Sequence, residues 1–205
     1  MAEAAEHARH WDAAYETKGA KGVSWYQAEP RVSLDLIRRM EVDVDVPVVD
    51  VGGGESLLVD NLLTRGFVDL TVLDLSKIAL AEGRRRVGPE PVTWLEADVL
   101  AWRPDRRYRL WHDRAVFHFL VDPADRDAYR KTVRAATAPG SALIVATFSP
   151  EGPEACSGLP VARYSADALA AEFGESFEIV ASLEEQHSTP SGGIQPFTWV
   201  AGRMR

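Results

Sequence analysis

The sequence predicts an α/β fold, a doubly wound and mostly parallel sheet that ends in an antiparallel hairpin. Three observations predict it. Short apolar segments rich in Val, Ile and Leu alternate with segments of helical period, as in a parallel sheet covered by helices on both faces. A run of three glycines, residues 52–54, separates one such apolar segment from a helical one. Near the carboxyl end, two strand-like segments follow each other without a helical segment between them.

The first 41 residues predict two helices joined by a loop. Residues 2–15 place Trp11 and Tyr15 four residues apart on one helical face, and residues 30–41 form a second amphipathic segment. The loop, residues 18–27, contains glycine and ends in an aromatic pair that begins with Trp25. We interpret residues 1–41 as a lid over the core, and an alternative is that these aromatic side chains only close the core's edge.

The rest of the chain, residues 46–205, predicts the core of a single domain that spans residues 1–205. Ser76 can cap the helix that follows it, and Gly66 and Gly88 end the helices before them. The predicted core helices cover residues 55–65, 77–87, 123–138 and 166–173. The predicted strands are seven, at residues 46–51, 69–75, 91–95, 109–113, 141–148, 177–183 and 196–202.

Composition limits the function. The formal net charge is -8, which argues against a nucleic acid as the main partner. A single cysteine excludes an internal disulfide framework, and we expect a cytoplasmic protein. No apolar run is long enough for a membrane span, and the polar amino-terminal residues lack a signal peptide's apolar region. The oligomeric state cannot be predicted from these features.

The glycine turn carries the functional signal. Gly52 and Gly54 occupy the first two positions of a dinucleotide fingerprint, but Leu57 stands where the third glycine belongs. Asp50 precedes the turn, where a carboxylate suits a ligand with a cationic amino-acid group. This D-x-G-x-G order, together with Gly53, resembles motif I of the class I S-adenosylmethionine (SAM)-dependent methyltransferases. That family implies a Rossmann-like fold, SAM as cofactor and S-adenosylhomocysteine as product.

Three aspartates each follow a predicted strand, at the sheet edge where ligands bind in this fold class. Asp50 suits the methionine amino group, Asp74 suits the ribose hydroxyls about 20 residues after the turn, and Asp98 suits the adenine amino group. A nicotinamide site would leave two of these acids without a role. The resemblance also implies cofactor contacts from Val99, which can pack on the adenine ring, and from Trp11, Trp25, Leu75 and Arg114.

Residues 111–120, after the fourth strand, correspond to the family's motif IV, which faces the transferred methyl group. They contain neither the D-P-P-Y motif of amino-DNA methyltransferases nor the Pro-Cys nucleophile of cytosine-C5 enzymes. The segment is more similar to small thiopurine- and tellurite-type enzymes or to compact protein-lysine enzymes. Candidate bases for an acceptor that must lose a proton are Asp113, His118 and His187. A buried, structural His118 and an ion pair between Asp113 and Arg114 are the structural alternatives.

The sequence therefore predicts an enzyme that moves the SAM methyl group to a small-molecule nucleophile, with a thiol or another soft atom considered first. The alternatives are a protein-lysine methyltransferase and a non-catalytic SAM-binding module. Cys156 and the histidines offer no closely spaced ligand pair, so no metal is expected. Two loop-like segments, residues 149–163 and 187–196, are expected over the acceptor side.

Overall fold

A computed structural model describes residues 2–19 and 21–205. Its main feature is a seven-stranded sheet in the order β3-β2-β1-β4-β5-β9-β8, and a two-stranded ribbon, β6-β7, lies outside that sheet. The strands are β1 (Val48–Val51), β2 (Leu70–Asp74), β3 (Val92–Glu96), β4 (Tyr108–Arg114), β5 (Thr137–Phe148), β6 (Ala155–Cys156), β7 (Leu159–Pro160), β8 (Phe177–Ser188) and β9 (Ile194–Met204).

Six α-helices accompany the strands. They are α1 (Ala2–Lys18), α2 (Arg31–Arg39), α3 (Leu58–Thr64), α4 (Lys77–Val87), α5 (Pro123–Ala136) and α6 (Ala166–Phe173). Ser76 and Ser165 cap α4 and α6, since each hydroxyl accepts from the backbone N–H three residues later. Both helices begin and end where the sequence predicts, because local side-chain chemistry marks both of their ends.

Strands β1 to β5 run parallel, and β9 runs antiparallel to both β5 and β8. The chain passes from β1 to β2 on one side, and β4 returns to β1's other side. The carboxyl ends of β1 and β4 therefore flank a topological switch point, where open α/β sheets bind ligands. This architecture confirms the predicted Rossmann-like doubly wound sheet with its antiparallel carboxyl-terminal hairpin.

Each face of the sheet has its own hydrophobic core. Helices α2 and α3 cover one face, where Leu110 of β4 is buried, and α5 and α6 cover the other, where Trp111 is buried. Successive residues of a strand point to opposite faces. This alternation along β4 decides which side chains reach the crevice at its end.

Several predicted boundaries are wrong. Helix α5 ends at Ala136 rather than at 138, because Thr137 is already extended and pairs with Tyr108 of β4. Helix α3 begins at Leu58, three residues later than predicted. The carboxyl-terminal hairpin pairs as far as Ser188 and Ile194, so the predicted loop 187–196 shrinks to residues 189–193. Ala20, in the predicted loop 18–27, and Met1 lie outside the described residues.

Within residues 2–19 and 21–205, no helix has both the length and the apolar character needed to cross a membrane.

Candidate functional site

The glycine turn closes tightly against side chains from neighbouring elements. Gly52 and Gly54 have φ angles of +69° and +36°, a region that glycine adopts without steric cost. A Cβ atom at Gly52 would lie 2.2 Å from Cγ2 of Val116, and one at Gly53 would lie 2.6 Å from Oδ2 of Asp50. A Cβ at Gly54 would lie 2.8 Å from Oδ2 of Asp74. The turn therefore has no room for side chains, and its backbone is what faces the crevice.

Arg86 of α4 holds the far end of this turn. Its guanidinium donates to the carbonyl oxygens of Glu55, at 3.1 Å, and Ser56, at 2.8 Å. The same guanidinium forms an ion pair with Asp60 of α3 at 2.8 Å. Helix α4 thus fixes the turn from behind and leaves its front open to a ligand.

Asp50, at the end of β1, belongs to a buried polar chain. Its Oδ1 lies 2.7 Å from Nδ1 of His112, its register partner on β4, and Nε2 of His112 lies 3.0 Å from the Ser33 hydroxyl on α2. All three side chains are buried. The other carboxylate oxygen of Asp50, Oδ2, is buried without a hydrogen-bond partner. An unpartnered buried carboxylate oxygen is costly unless a ligand supplies a donor.

Arg114, at the end of β4, has buried hydrogen-bond donors without partners, just as Asp50 has a buried acceptor without one. One guanidinium nitrogen donates to the carbonyl oxygen of Trp25 at 3.1 Å, whereas Nε and Nη2 are buried without partners. The guanidinium carbon lies 4.5 Å from the centre of the Phe197 ring. Burial lowers the pKa of Arg114 to about 10, so the group remains a cation at neutral pH. Asp50 and Arg114 line the same crevice.

The amino-terminal segment covers this crevice. The crevice wall consists of the glycine turn and the residues after it, together with Tyr15, Val23, Trp25, Tyr26, Gln27, Pro30, Ser33, Asp50, His112 and Arg114. Gln27 donates to the Glu185 carboxylate of β8 at 2.8 Å. Trp11 packs edge-on against Trp25 and Phe119, with ring centres 5.8 and 5.0 Å away. Three aromatic residues of the predicted lid, Tyr15, Trp25 and Tyr26, thus line the crevice, and Trp11 packs on one of them.

Asp74 ends β2, beside the turn. One of its oxygens accepts from the Ser76 backbone N–H at 2.8 Å. Burial, with a smaller contribution from the charge of Asp50, raises the pKa of Asp74 to about 7, although the Ser76 hydrogen bond lowers it. Burial and the nearby Asp74 also raise the pKa of the Tyr15 phenol. Asp12 joins α1 to this region, because it accepts from the Ser76 hydroxyl at 2.7 Å.

The remaining predicted cofactor contacts lie next to β2 and β3. Leu75 directly follows Asp74 and is half-buried. Asp98 accepts from the Leu100 backbone N–H at 2.9 Å, an Asx turn that leaves its second oxygen available. Val99, next to Asp98, is buried. The order β3-β2-β1 brings Asp98, Asp74 and Asp50 to consecutive strand ends.

Asp113 faces away from the crevice, because strand alternation turns it toward α5. It accepts from the Tyr129 hydroxyl at 2.5 Å and from the Val116 backbone N–H at 2.9 Å. Burial raises its pKa to about 6, although these two hydrogen bonds lower it. The suggested ion pair with Arg114 does not form, since the two side chains lie on opposite faces of the sheet.

The two predicted basic histidines also have internal neighbours. His118 is buried between Phe119 and Phe148, and burial together with Arg114 lowers its pKa to about 3. His187 is held by Ser24, whose carbonyl oxygen lies 2.7 Å from its Nε2. Burial, with Arg114, also lowers the pKa of His187. None of Asp113, His118 and His187 belongs to the described wall of the crevice, and their catalytic roles stay predictions.

Sequence reasoning gave no role in this site to Tyr15 or Ser33, and it considered His112 only for a metal site. The alternation of side chains along a strand predicts that His112 lies in the site, because it is two residues from Arg114 and therefore on the same face of β4. Ser33 carries no local signal, since only packing of α2 brings its hydroxyl to His112. Among the described residues, no group of three metal-ligating side chains could hold a metal ion.

Comparison with known proteins connects this site to a family. Residues 48–140, from β1 into β5, match the methyltransferase domain family. No curated protein matches the chain in sequence.

Solved structures are similar over nearly the whole chain. One, from work on the conversion of a disulfide bond into a thioacetal group during echinomycin biosynthesis, is 20% identical, with a TM-score of 0.76 and coverage of 96% of this chain and 92% of that one. The N-methyltransferase NodS of Bradyrhizobium japonicum, in complex with S-adenosylhomocysteine, is 16% identical, with a TM-score of 0.72 and coverage of 94% and 97%.

A third similar structure is the 1,6-didemethyltoxoflavin-N1-methyltransferase of Burkholderia thailandensis with bound 1,6-didemethyltoxoflavin and S-adenosylhomocysteine. It is 18% identical, with a TM-score of 0.70 and coverage of 99% of this chain and 86% of that one. These similarities establish the fold, and the family match covers the strands and the turn that build the crevice. Residues 48–140 thus match the methyltransferase domain family, on a fold that the chain shares with SAM-dependent methyltransferases of known structure.

Proposed function

We propose that this chain is a class I SAM-dependent methyltransferase, which binds SAM as its cofactor and transfers the methyl group to a small-molecule nucleophile. The observation that carries the proposal is the roof over the crevice. The segment from Val23 to Gln27 is fixed to the sheet by Arg114 of β4 and by Glu185 and His187 of β8. A roof tied at three points suits an acceptor small enough to be enclosed and leaves little room for a folded protein substrate.

The unpartnered groups suit the methionine end of SAM. In our proposal, Oδ2 of Asp50 accepts from the α-ammonium group, and the free nitrogens of Arg114 bind the α-carboxylate. SAM would then supply partners for both groups and would remove the free-energy cost of burying them unpaired. This complementarity is the fit between the residues present and the cofactor.

The adenosine end would follow the strand order. We propose that Asp74 binds the ribose hydroxyls, that Asp98 accepts from the adenine amino group, and that Leu75 and Val99 pack on the ring. Trp11 and Trp25 belong to the lid, residues 1–41, which together with the core 46–205 forms one domain. The backbone of Gly52, Gly53 and Gly54 lets the methionyl chain pass close to the end of β1.

Bound SAM supplies an activated methyl group on a sulfonium. Methyl transfer is an in-line displacement, so the protein mainly aligns the acceptor and excludes water. The aromatic roof would perform both tasks here. A thiolate acceptor needs no base at all, which agrees with a crevice whose described wall includes none of Asp113, His118 and His187.

Two of the similar structures support a small acceptor. One concerns a disulfide and a thioacetal group in echinomycin biosynthesis, and another holds 1,6-didemethyltoxoflavin. The first favours sulfur and the second favours nitrogen as the atom methylated. We therefore propose small thiols as the first class of methyl acceptor and small amines as the second.

The test is to measure S-adenosylhomocysteine formation from SAM with panels of small thiols, small amines and lysine-containing peptides. Turnover with a small thiol or amine, and none with peptides, supports the proposal. Turnover with peptides alone would replace it with a protein-lysine methyltransferase. SAM binding without turnover in every panel would favour the non-catalytic module.

A further inference from the structure

The Asp50–His112–Ser33 chain has no counterpart in the sequence-based prediction of the cofactor site. Its three members come from three separate elements, β1, β4 and α2, and each is buried. Its two contacts, of 2.7 and 3.0 Å, have hydrogen-bond geometry. A chain of this kind costs free energy to bury unless its members are satisfied, and only Oδ2 of Asp50 lacks a partner.

The donor directions along the chain follow from its chemistry. An ionised Asp50 can only accept, so Nδ1 of His112 carries the proton and donates to Oδ1. In a neutral imidazole, Nε2 then accepts from the Ser33 hydroxyl. Asp50 therefore selects the tautomer of His112, Ser33 holds the other ring nitrogen, and His112 selects which oxygen of Asp50 stays free.

We propose that His112 and Ser33 are positioning residues for the cofactor's amino group. By holding Oδ1, they prevent rotation of the Asp50 carboxylate and keep Oδ2 against the glycine turn, 2.6 Å from the position of a Cβ at Gly53. The inference rests on the proposed role of Asp50 toward the α-ammonium group. It adds that the affinity for this group depends on two residues that act through Asp50.

The test compares two ligands that differ at the amino-acid end. SAM carries the α-ammonium group, whereas 5′-methylthioadenosine has the same adenosine on a neutral thioether sulfur and lacks the amino acid, so each variant is compared with the wild type for the same ligand. Calorimetry measures both affinities for the wild type, His112→Leu, His112→Asn and Ser33→Ala. Thr132→Ala is the matched control, because it removes a buried hydroxyl that bonds only within α5.

We expect His112→Leu to weaken SAM binding about tenfold or more, the cost of one charge-assisted hydrogen bond, and to leave 5′-methylthioadenosine binding within about twofold. His112→Asn should retain most of the SAM affinity, because its amide nitrogen can replace Nδ1. Ser33→Ala should weaken SAM binding by about two- to fivefold, since it loosens the imidazole without removing it. Thr132→Ala should change neither affinity.

Equal losses for both ligands in His112→Leu would overturn the proposal, because they would indicate a general structural effect. Unchanged SAM affinity in a folded His112→Leu protein would overturn it as well. If His112→Leu does not fold, His112→Asn and Ser33→Ala carry the test, and a shared loss for both ligands in Ser33→Ala contradicts it. Absence of turnover with every acceptor would defeat the proposed small-molecule activity but leave these binding ratios intact.

Discussion

The glycines of the turn each face a different neighbour. Gly52 approaches Val116 of the loop after β4, Gly53 approaches Asp50, and Gly54 approaches Asp74. The three positions thus set the distances between the backbone and the groups proposed to bind SAM. Their requirement for glycine comes from the site's own side chains as well as from backbone conformation.

We predict that Gly52→Ala weakens S-adenosylhomocysteine binding at least about tenfold and destabilises the fold by about 1–3 kcal/mol. The added Cβ would meet Val116 at 2.2 Å and would force the turn to shift. Calorimetry and urea unfolding measure the two effects. Gly66→Ala is the matched control, since Gly66 also has a positive φ, +89°, but no atom within 4 Å of its Cβ position. Equal affinities in the two variants would contradict the prediction.

The raised pKa of Asp74 predicts that both the stability of the fold and the affinity for the ligand depend on pH. Its folded-state pKa, about 7, lies above the ordinary 3.8, so the cofactor-free folded protein holds a proton that the unfolded chain releases. This group's contribution to stability is therefore complete below about pH 4, falls as the pH rises toward about 7, and is constant above. Ribose hydroxyls donate, so they bind the anion.

We accordingly expect S-adenosylhomocysteine binding to strengthen as the pH rises to about 7, with proton release on binding below that pH. Calorimetry in buffers of different ionisation enthalpy counts the released protons. Asp74→Asn cannot titrate and should bind weakly with a flat profile between about pH 5.5 and pH 8. A profile in Asp74→Asn that matches the wild type would remove Asp74 from the ribose assignment.

Strand alternation along β4 separates structural from ligand-facing groups. His112 and Arg114 point to the face covered by α2, whereas Trp111 and Asp113 point to α5. Tyr129 of α5 joins the latter two, because it donates to Asp113 and accepts from the Trp111 indole at 2.9 Å. These bonds fix the loop after β4 from the side opposite the crevice.

Tyr129→Phe should therefore destabilise the protein by about 1–3 kcal/mol, since it removes the Asp113 donor and leaves the indole N–H unpaired. It should also raise the pKa of Asp113 further, because the lost hydrogen bond lowers it. S-adenosylhomocysteine affinity should stay within about twofold. Urea unfolding and calorimetry check both. A tenfold change in affinity would contradict this expectation and would show that the Tyr129–Asp113 contact also shapes the ligand site.

At the scale of the whole molecule, the sheet brings groups distant in sequence to one edge. The crevice lies at the switch point between β1 and β4, and residues 23–27, which are held by Glu185 and His187 of β8, line it. Ligand binding should consequently stabilise the entire fold rather than a single element, because the crevice wall includes residues from α1, α2, β1 and β4.

S-adenosylhomocysteine at about 100 times its dissociation constant should raise the free energy of unfolding by about 2.7 kcal/mol, provided that it binds only the folded state. NAD at the same concentration should have no effect. Urea unfolding with each ligand measures this, and Gly52→Ala should lose about half of the gain or more at the same ligand concentration. Stabilisation by NAD and none by S-adenosylhomocysteine would contradict the proposed cofactor.

The sequence by itself determined the order of the elements, the glycine turn and the acids at the ends of three strands. These features are local, because strand alternation, serine caps and glycine conformation act within a few residues. Helices α4 and α6 were therefore predicted with their ends correct. The proposed cofactor class rests on a resemblance that is carried by one short segment, D-x-G-x-G.

Only the tertiary structure decided which side chains meet. Asp50 and His112 are 62 positions apart in the chain, and Ser33 and His112 are 79 apart. Sheet register and helix packing bring them together, and neither can be read from local period. For the same reason Asp113 turned toward Tyr129 instead of the crevice, and the hairpin extended to include His187. Local chemistry thus fixed the elements, and non-local pairing selected the members of the site.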